Sequence, residues 1–346
     1  MLAYIVRRLL LVPPVLLVVS AFIFSMLLLV DPYERVAAFI SDPTALREGR
    51  EEMELLLKKY GLDQPIYVQY YLWLRNLLRG NLGWSETARM PTWEAIATYF
   101  PASAELTLWA AVPILVVGIW LGVLSALHHN RFIDHLTRFT SIVGWSFPTF
   151  VFGLIMLMIF YGGLGWFPPG RLSSWASLVV NDPTLFRQYT GLYTLDSLLN
   201  GRLDIFADAL RHLALPVLTL SYLSWALLVR VTRSAMLEAL RQEYVQTARA
   251  KGLRERVVIH KHAKRNALIP VVTIGGLMII GLLNGVVVTE TIFNYKGLGY
   301  WFANAARQLD MPAVLGFTLF NGVLMVIGNL VVDILYAVID PRIRLE

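Results

Sequence analysis

The stretch LTLWAAVPILVVGIWLGVLSAL, Leu106–Leu127, carries no charged side chain from end to end. A helix rising about 1.5 Å per residue crosses a bilayer core about 30 Å thick in about 20 residues, so this segment is long and apolar enough to span a membrane. Working outward from it, five further segments meet or approach the same requirement: Leu9–Val30, Phe139–Tyr161, Leu213–Val229, Ala267–Val288 and Ala313–Ile339. Leu213–Val229 is short as written, but its helix can continue into the polar residues at either end. Pro148 and Pro216 fall inside two of the spans, where neighbouring helices can satisfy the carbonyls that proline frees. Composition agrees, with 57% hydrophobic and 16% charged residues in a chain of 346, against about 45–50% and about 25% in a soluble domain. Six core helices of a soluble protein would leave too little polar sequence to coat them. The fold class expected is therefore all-α, a polytopic membrane protein of six spans.

Charge gives the orientation. With six spans, both termini and the second and fourth loops share one side, which holds sixteen Lys and Arg against six Asp and Glu; the other side holds fourteen against sixteen. By the positive-inside rule the basic side is the cytoplasm. The formal charge of +6 then follows from topology and gives no reason to invoke nucleic acid. The first span has the basic flank of a signal sequence, but its apolar run is longer than a signal core and no A-x-A site follows, so it is expected to remain as an anchor. The chain divides into this first span (1–30), an outer insertion with short helices (31–103) and a five-span core (104–346). The core includes an outer loop (162–212) and a basic loop (230–266).

The chain has no cysteine, which excludes disulfides, thiol catalysis and thiolate metal sites. No lysine is followed by Ser or Thr, so there is no P-loop, and neither H-E-x-x-H nor G-x-S-x-G occurs. His128, His129, His260 and His262 read as interfacial or solvated residues. No catalytic residue, metal site or cofactor of its own is expected for the chain.

In the outer insertion, Met53, Leu56, Leu57 and Tyr60 recur at helical spacing, Glu54 can pair with Lys58, and Gly61 is placed to cap the helix. Ile66, Tyr70, Trp73, Leu74 and Leu77 share one face of a second helix, expected to pack on the spans or the interface. Asp204–His212 reads as a short helix, and Tyr161, Trp166 and Trp175 as an interfacial aromatic belt. Gly118-x-x-x-Gly122 and Gly281-x-x-x-Gly285 allow close helix approach without naming the partner helix. Asn284, Asn321, Asn329 and Asp333 should face the bundle or a cavity, because an unpaired polar group in hydrocarbon is costly. Asn284 and Asn321 are the candidates for a translocation path.

The basic loop reads RVTRSAMLEALRQEYVQTARAKGLRERVVIHKHAKRNALIPVV from Arg230. Leu237, Leu240, Tyr244 and Ala248 follow one helical stripe, and Gly252 can end the helix in a left-handed cap. The small residues Ala248 and Ala250 would let another surface come close. On physics alone, ten Lys and Arg in this loop serve equally for docking a partner or lying on anionic membrane lipid.

EYVQTARAKG, from Glu243 to Gly252 with Pro270 downstream, resembles the EAA loop of ABC-transporter permeases. More of the chain is similar to the B-type permeases of dipeptide and oligopeptide importers: MLAYIVRRLLLVPP at the start, YGLDQPIYVQYYLWLRNLLRGNLGWS at Tyr60–Ser85, RHLALPVLTL at Arg211–Leu220, VRVTRSAMLEAL at Val229–Leu240, TETIFNYKGLGYW at Thr289–Trp301 and DPRIR at Asp340–Arg344. It departs from that family in keeping only Asp31-Pro32 of a Pro-Gly-Asp-Pro motif, in reading Lys296-Gly297-Leu298-Gly299 for Pro-Gly-Leu-Gly, and in following Glu243 with Tyr244 and Val245. The resemblance implies a permease subunit, not an enzyme, in a heteromeric importer in the prokaryotic cell membrane. Its implied partners are a second homologous permease, two ATPase subunits that carry the ATP and Mg, and an extracytoplasmic solute-binding protein. It also implies coupling through Glu243, Ala248 and Gly252, with Tyr244, Arg249 and Lys251 as docking contacts. Permeases for oligosaccharides or nickel share this architecture. An ion-coupled secondary transporter is the reading from another class, and it would need ionisable groups at mid-membrane that the spans do not offer. A membrane scaffold without a pathway is a third.

Overall fold

A computed structural model describes the backbone of residues 2–29, 31, 35–36, 39, 50–283 and 286–339. It is helical apart from one hairpin of two-residue strands, Trp84–Ser85 and Met90–Pro91. Among the described residues, five helices are long and apolar enough to cross a membrane, and a bent pair makes a sixth span. In chain order the helices are α1 (Leu2–Leu27), α2 (Arg50–Lys59), α3 (Ile66–Leu78), α4 (Thr92–Leu127), α5 (Phe132–Ser146), α6 (Thr149–Gly163), α7 (Ser174–Val180), α8 (Tyr193–Leu199), α9 (Leu203–Arg241), α10 (Glu243–Ala250), α11 (Glu255–Leu283), α12 (Val287–Ile292), α13 (Leu298–Arg307) and α14 (Met311–Ile339).

The centre of the bundle is the seam between α4 and α9. Their 36 and 39 residues make rods about 54 and about 58 Å long, so both extend well beyond a bilayer core. Leu106, Ala110 and Ile114 meet Leu213, Leu220, Leu228 and Val271 in the largest buried cluster. In lipid, apolar burial alone gives little net drive between helices, and close packing must supply it. A Cβ on Gly122 would lie 2.5 Å from the Cβ of Thr232, and one on Gly118 would lie 3.0 Å from Leu228. The first G-x-x-x-G spacing therefore serves α9. Gly285 of the second lies outside the described residues.

Three expected boundaries move. Thr92–Leu127 begins well inside the outer insertion, and the short helix expected at Asp204–His212 is the first part of the continuous α9. The third span is not one helix, for α5 and α6 meet at 102° across Phe147 and Pro148. Proline pushes the residue before it out of the α region, and Phe147 is extended at φ −81°, ψ 127°. Pro216, by contrast, sits within α9 without ending it. The fifth span is helical through Leu283, residues 284–285 lie outside the described residues, and α12 follows from Val287.

The outer helices pack as their spacing predicts. Tyr70, Trp73, Leu74 and Leu77 of α3, with Leu56, Leu57 and Tyr60, gather around Ile23, Phe24 and Leu27 of α1. Ser20 of α1 and the Tyr70 hydroxyl are 2.8 Å apart. Ile66 remains 60% exposed, and the side chains of Met53 and Glu54 lie outside the described ones. Gly61 ends the segment at φ +67°, the left-handed geometry of a helix cap. Tyr161, Trp166 and Trp175 are exposed, as a belt residue must be.

Candidate functional site

The basic end of the bundle presents α10 as a short helix hung between α9 and α11. The expected continuous stripe is broken at Gln242, whose extended backbone (φ −69°, ψ 148°) ends α9 and caps α10. That extended residue shifts the helical phase. Tyr244 consequently turns outward, and Val245 takes the inward place that the stripe assigned to it. Val245 and Ala248 are buried against Met236 and Ala239 of α9, Val258, Ala263 and Ala267 of α11, and Val123 and Ala126 of α4. The small side chain of Ala248 does permit close approach, but the surface that approaches is the chain's own core.

Glu243, Tyr244, Gln246, Thr247, Arg249, Ala250 and Lys251 form the exposed face. Gly252 follows at φ +75° with open space around its missing side chain, so only the left-handed turn requires glycine there. Arg249 reaches across this turn to Glu255, with Nη2 2.7 Å and Nε 3.2 Å from the two carboxylate oxygens. Both side chains are about half exposed, and such a surface pair is worth at most about 1 kcal/mol. Its effect is to hold the turn's geometry, and the guanidinium faces its own chain.

Behind this element lies a buried ion pair that sequence reading does not single out. Asp134 near the start of α5 is fully buried. It accepts from Arg233 Nε at 2.7 Å and Nη2 at 2.8 Å, from Ser125 Oγ at 2.5 Å and from the Asn130 amide at 3.0 Å. His129 Nδ1 stands 3.1 Å from Arg233 Nη2. Nothing in one sequence links positions 134 and 233, which enter the charge tally only as members of two loops.

The opposite end holds a second polar knot. Glu105 on α4 accepts from Arg171 Nη2 at 2.8 Å, from the Thr194 amide and hydroxyl at 2.7 and 2.8 Å, and from the Tyr295 hydroxyl at 2.9 Å. Glu290 on α12 accepts from Ser103 Oγ at 2.6 Å and from the Tyr300 amide at 2.7 Å. Each carboxylate thus caps the start of another helix, α8 in one case and α13 in the other, where the amide ends favour negative charge. Burial pushes the Glu290 carboxyl up, against the hydrogen bonds from Ser103 and Tyr300. A Cβ on Gly297 would meet Ser103 Oγ at 2.6 Å and the Glu290 carboxyl carbon at 2.7 Å, and one on Gly299 would meet Val287 backbone at 2.9 Å. The two glycines of Lys296-Gly297-Leu298-Gly299 are therefore fixed by contact, and Lys296 stands where the fit makes no such demand. An acid bordering an apolar run was the available signal for Glu105; its four donors come from segments remote in sequence.

Of the two path candidates, Asn321 is half-buried on α14, with no hydrogen-bond partner for its Oδ1 among the described residues. Asn284 lies outside the described residues, as does the side chain of Asp333. Asn329 is half-buried. Neither path candidate belongs to the α10 element.

Residues 118–345 match the family of binding-protein-dependent transport system inner membrane components, and residues 1–107 match the N-terminal region of such membrane components. The chain belongs to this family. The permease is 42% identical to the probable D,D-dipeptide transport system permease of Escherichia coli, over 94% of this chain and 92% of that one. It is 41% identical to the di/tripeptide transport system permease of Pseudomonas aeruginosa, over 99% of both chains. It is 40% identical to the oligopeptide transport system permease of Bacillus subtilis, over 99% of this chain and all of that one. Membership makes the permease an inner-membrane transport component and not itself an enzyme, and it supersedes the secondary-carrier reading. The α10 turn falls within the matched region.

Proposed function

We propose that this permease is one of two homologous membrane subunits of an ATP-driven importer of dipeptides or oligopeptides. A solute-binding protein delivers the peptide on the outer side, and two separate ATPase subunits bind the ATP and Mg. The observation that carries this reading is α10: a short helix seated by Val245 and Ala248 and presenting Glu243, Tyr244 and Lys251 outward, in a chain similar over nearly its full length to three peptide permeases. The helix is short, its inner face is packed and its far end is fixed by the Gly252 turn and the Arg249–Glu255 pair. A push on its outer face is therefore transmitted to α9 and α11 rather than absorbed locally. The excess of Lys and Arg at this end supports a cytoplasmic location for it and for both termini, where ATP is available. The spans then alternate between outward and inward openings as the ATPases close and reset.

The test is co-purification from the native cells after gentle solubilisation, beside Gly252→Pro. Proline cannot adopt φ +75°, so the variant loses the turn. Recovery of a second permease and ATPase subunits with the wild type, and loss of the ATPases in the variant, is the expected result. A wild-type chain recovered inserted but alone would overturn the proposal.

A further inference from the structure

The load on α10 lands where three spans meet, and what moves with α9 depends on how each neighbour is fastened to it. Helix α4 is fastened along its length, since Gly118 and Gly122 leave no room for Leu228 and Thr232 to slide past. Helix α5 is not. Phe132, Leu136, Phe139, Ile142 and Trp145 form an exposed apolar stripe along it, which Arg230 of α9 overlies at the Trp145 ring, 5.6 Å from its centroid, and its hydrogen-bonded ties to α9 are two. Midway, the Tyr222 hydroxyl donates to the Thr140 carbonyl at 3.2 Å, and Gly144 lies against the Tyr222 backbone. Near the basic end, Arg233 forks onto Asp134. The two ties are about 16 Å apart along α9, and Arg233 is about 14 Å from the Gln242 break. A rod held at two points follows its support, whereas a rod held at one pivots about it.

The chemistry of the pair fits a fastener better than a source of net stability. A buried ion pair gains little over apolar side chains of the same volume, because both charges must be desolvated. Two parallel N–H···O bonds, however, fix the angle as well as the distance between helices. Asp134 is itself held by Ser125 of α4 and by the Asn130 amide, in a loop whose Asn130 is left-handed at φ +59°. Beyond α5 the chain bends by 102° at Phe147–Pro148 into α6, where Gly153 packs against Ile292 and Phe293 beside the opposite knot.

We propose that Asp134 and Arg233 are positioning residues for transport, fastening α5 to α9 so that displacement of the docking helix carries the broken span α5–α6 with it. The inference rests on the ATP-coupled reading above.

The test uses the whole importer in proteoliposomes, measuring ATP hydrolysis and peptide uptake together. Asp134→Leu with Arg233→Met, which leaves neither charge unpaired, should leave the ATPases bound and hydrolysing while uptake per ATP falls about tenfold, the scale of a coupling free energy; Arg233→Lys, which keeps the charge but loses the fork, should fall between. Because the chain has no cysteine, Asp134→Cys with Arg233→Cys, in partners freed of their own cysteines, permits a covalent replacement. A short thiol cross-linker should restore uptake per ATP in this pair. Hydrolysis and uptake falling in parallel, or a completed cross-link that restores nothing, would overturn the inference. Wild type lacking ATPase partners would instead overturn the underlying reading, and the two failures are distinct.

Discussion

At single positions the packing makes sharp demands. Gly122→Ala places its methyl 2.5 Å from Thr232, and such overpacking costs about 1–3 kcal/mol. The permease should unfold at lower temperature in detergent, whereas an alanine at Gly252, in open space, should cost less and act through its backbone angle alone. Glu105→Gln removes the charge facing the partly buried Arg171. Leaving one member of a buried pair alone costs about 3–5 kcal/mol, while replacing both by apolar groups is far milder. Glu105→Gln should therefore lower the unfolding temperature more than Glu105→Leu with Arg171→Met, a comparison that one thermal series in detergent provides. If the double substitution proved as damaging as the sum of the singles, the pair would not be acting as a unit.

Elements were legible in the sequence to the extent that their cause is local. The apolar runs, the left-handed turns at Gly61 and Gly252, and the inward face of α3 all follow from residues within a few positions of one another. The bend at Pro148 depended on whether neighbours would hold the helix straight. Proline freed a carbonyl in both α9 and the third span, yet only α9 has α4 packed along it on both sides of the proline. The phase of α10 was lost for a similar reason, since one extended residue at Gln242 exchanged Tyr244 for Val245. Arg233 at Asp134, and Arg171, Thr194 and Tyr295 at Glu105, lie 66 to 190 positions from the carboxylates they meet, which no spacing rule reaches. On this account the two faces of α10 should respond differently. Val245→Asp buries an unpaired charge and should destabilise the whole basic end, seen as aggregation on solubilisation. Tyr244→Ala should leave the permease folded and reduce ATPase retention alone, measured by the stoichiometry of the purified complex.

In the whole molecule, α4 and α9, each longer than the bilayer is thick, join a cation-rich end carrying α10 to an opposite end closed by the knots around Glu105 and Glu290. The absence of cysteine makes orientation measurable, because single cysteines introduced at Lys251 and at Arg187 should react with a membrane-impermeant thiol reagent from opposite sides, Arg187 in intact cells and Lys251 only after the membrane is opened. The most direct measurement of the central claim is peptide uptake by proteoliposomes containing the permease with its co-purified partners and the binding protein outside. Uptake should require ATP in the compartment that faces α10 and should persist when the proton gradient is collapsed. Uptake by the permease alone, driven by a proton gradient without ATP, would contradict it.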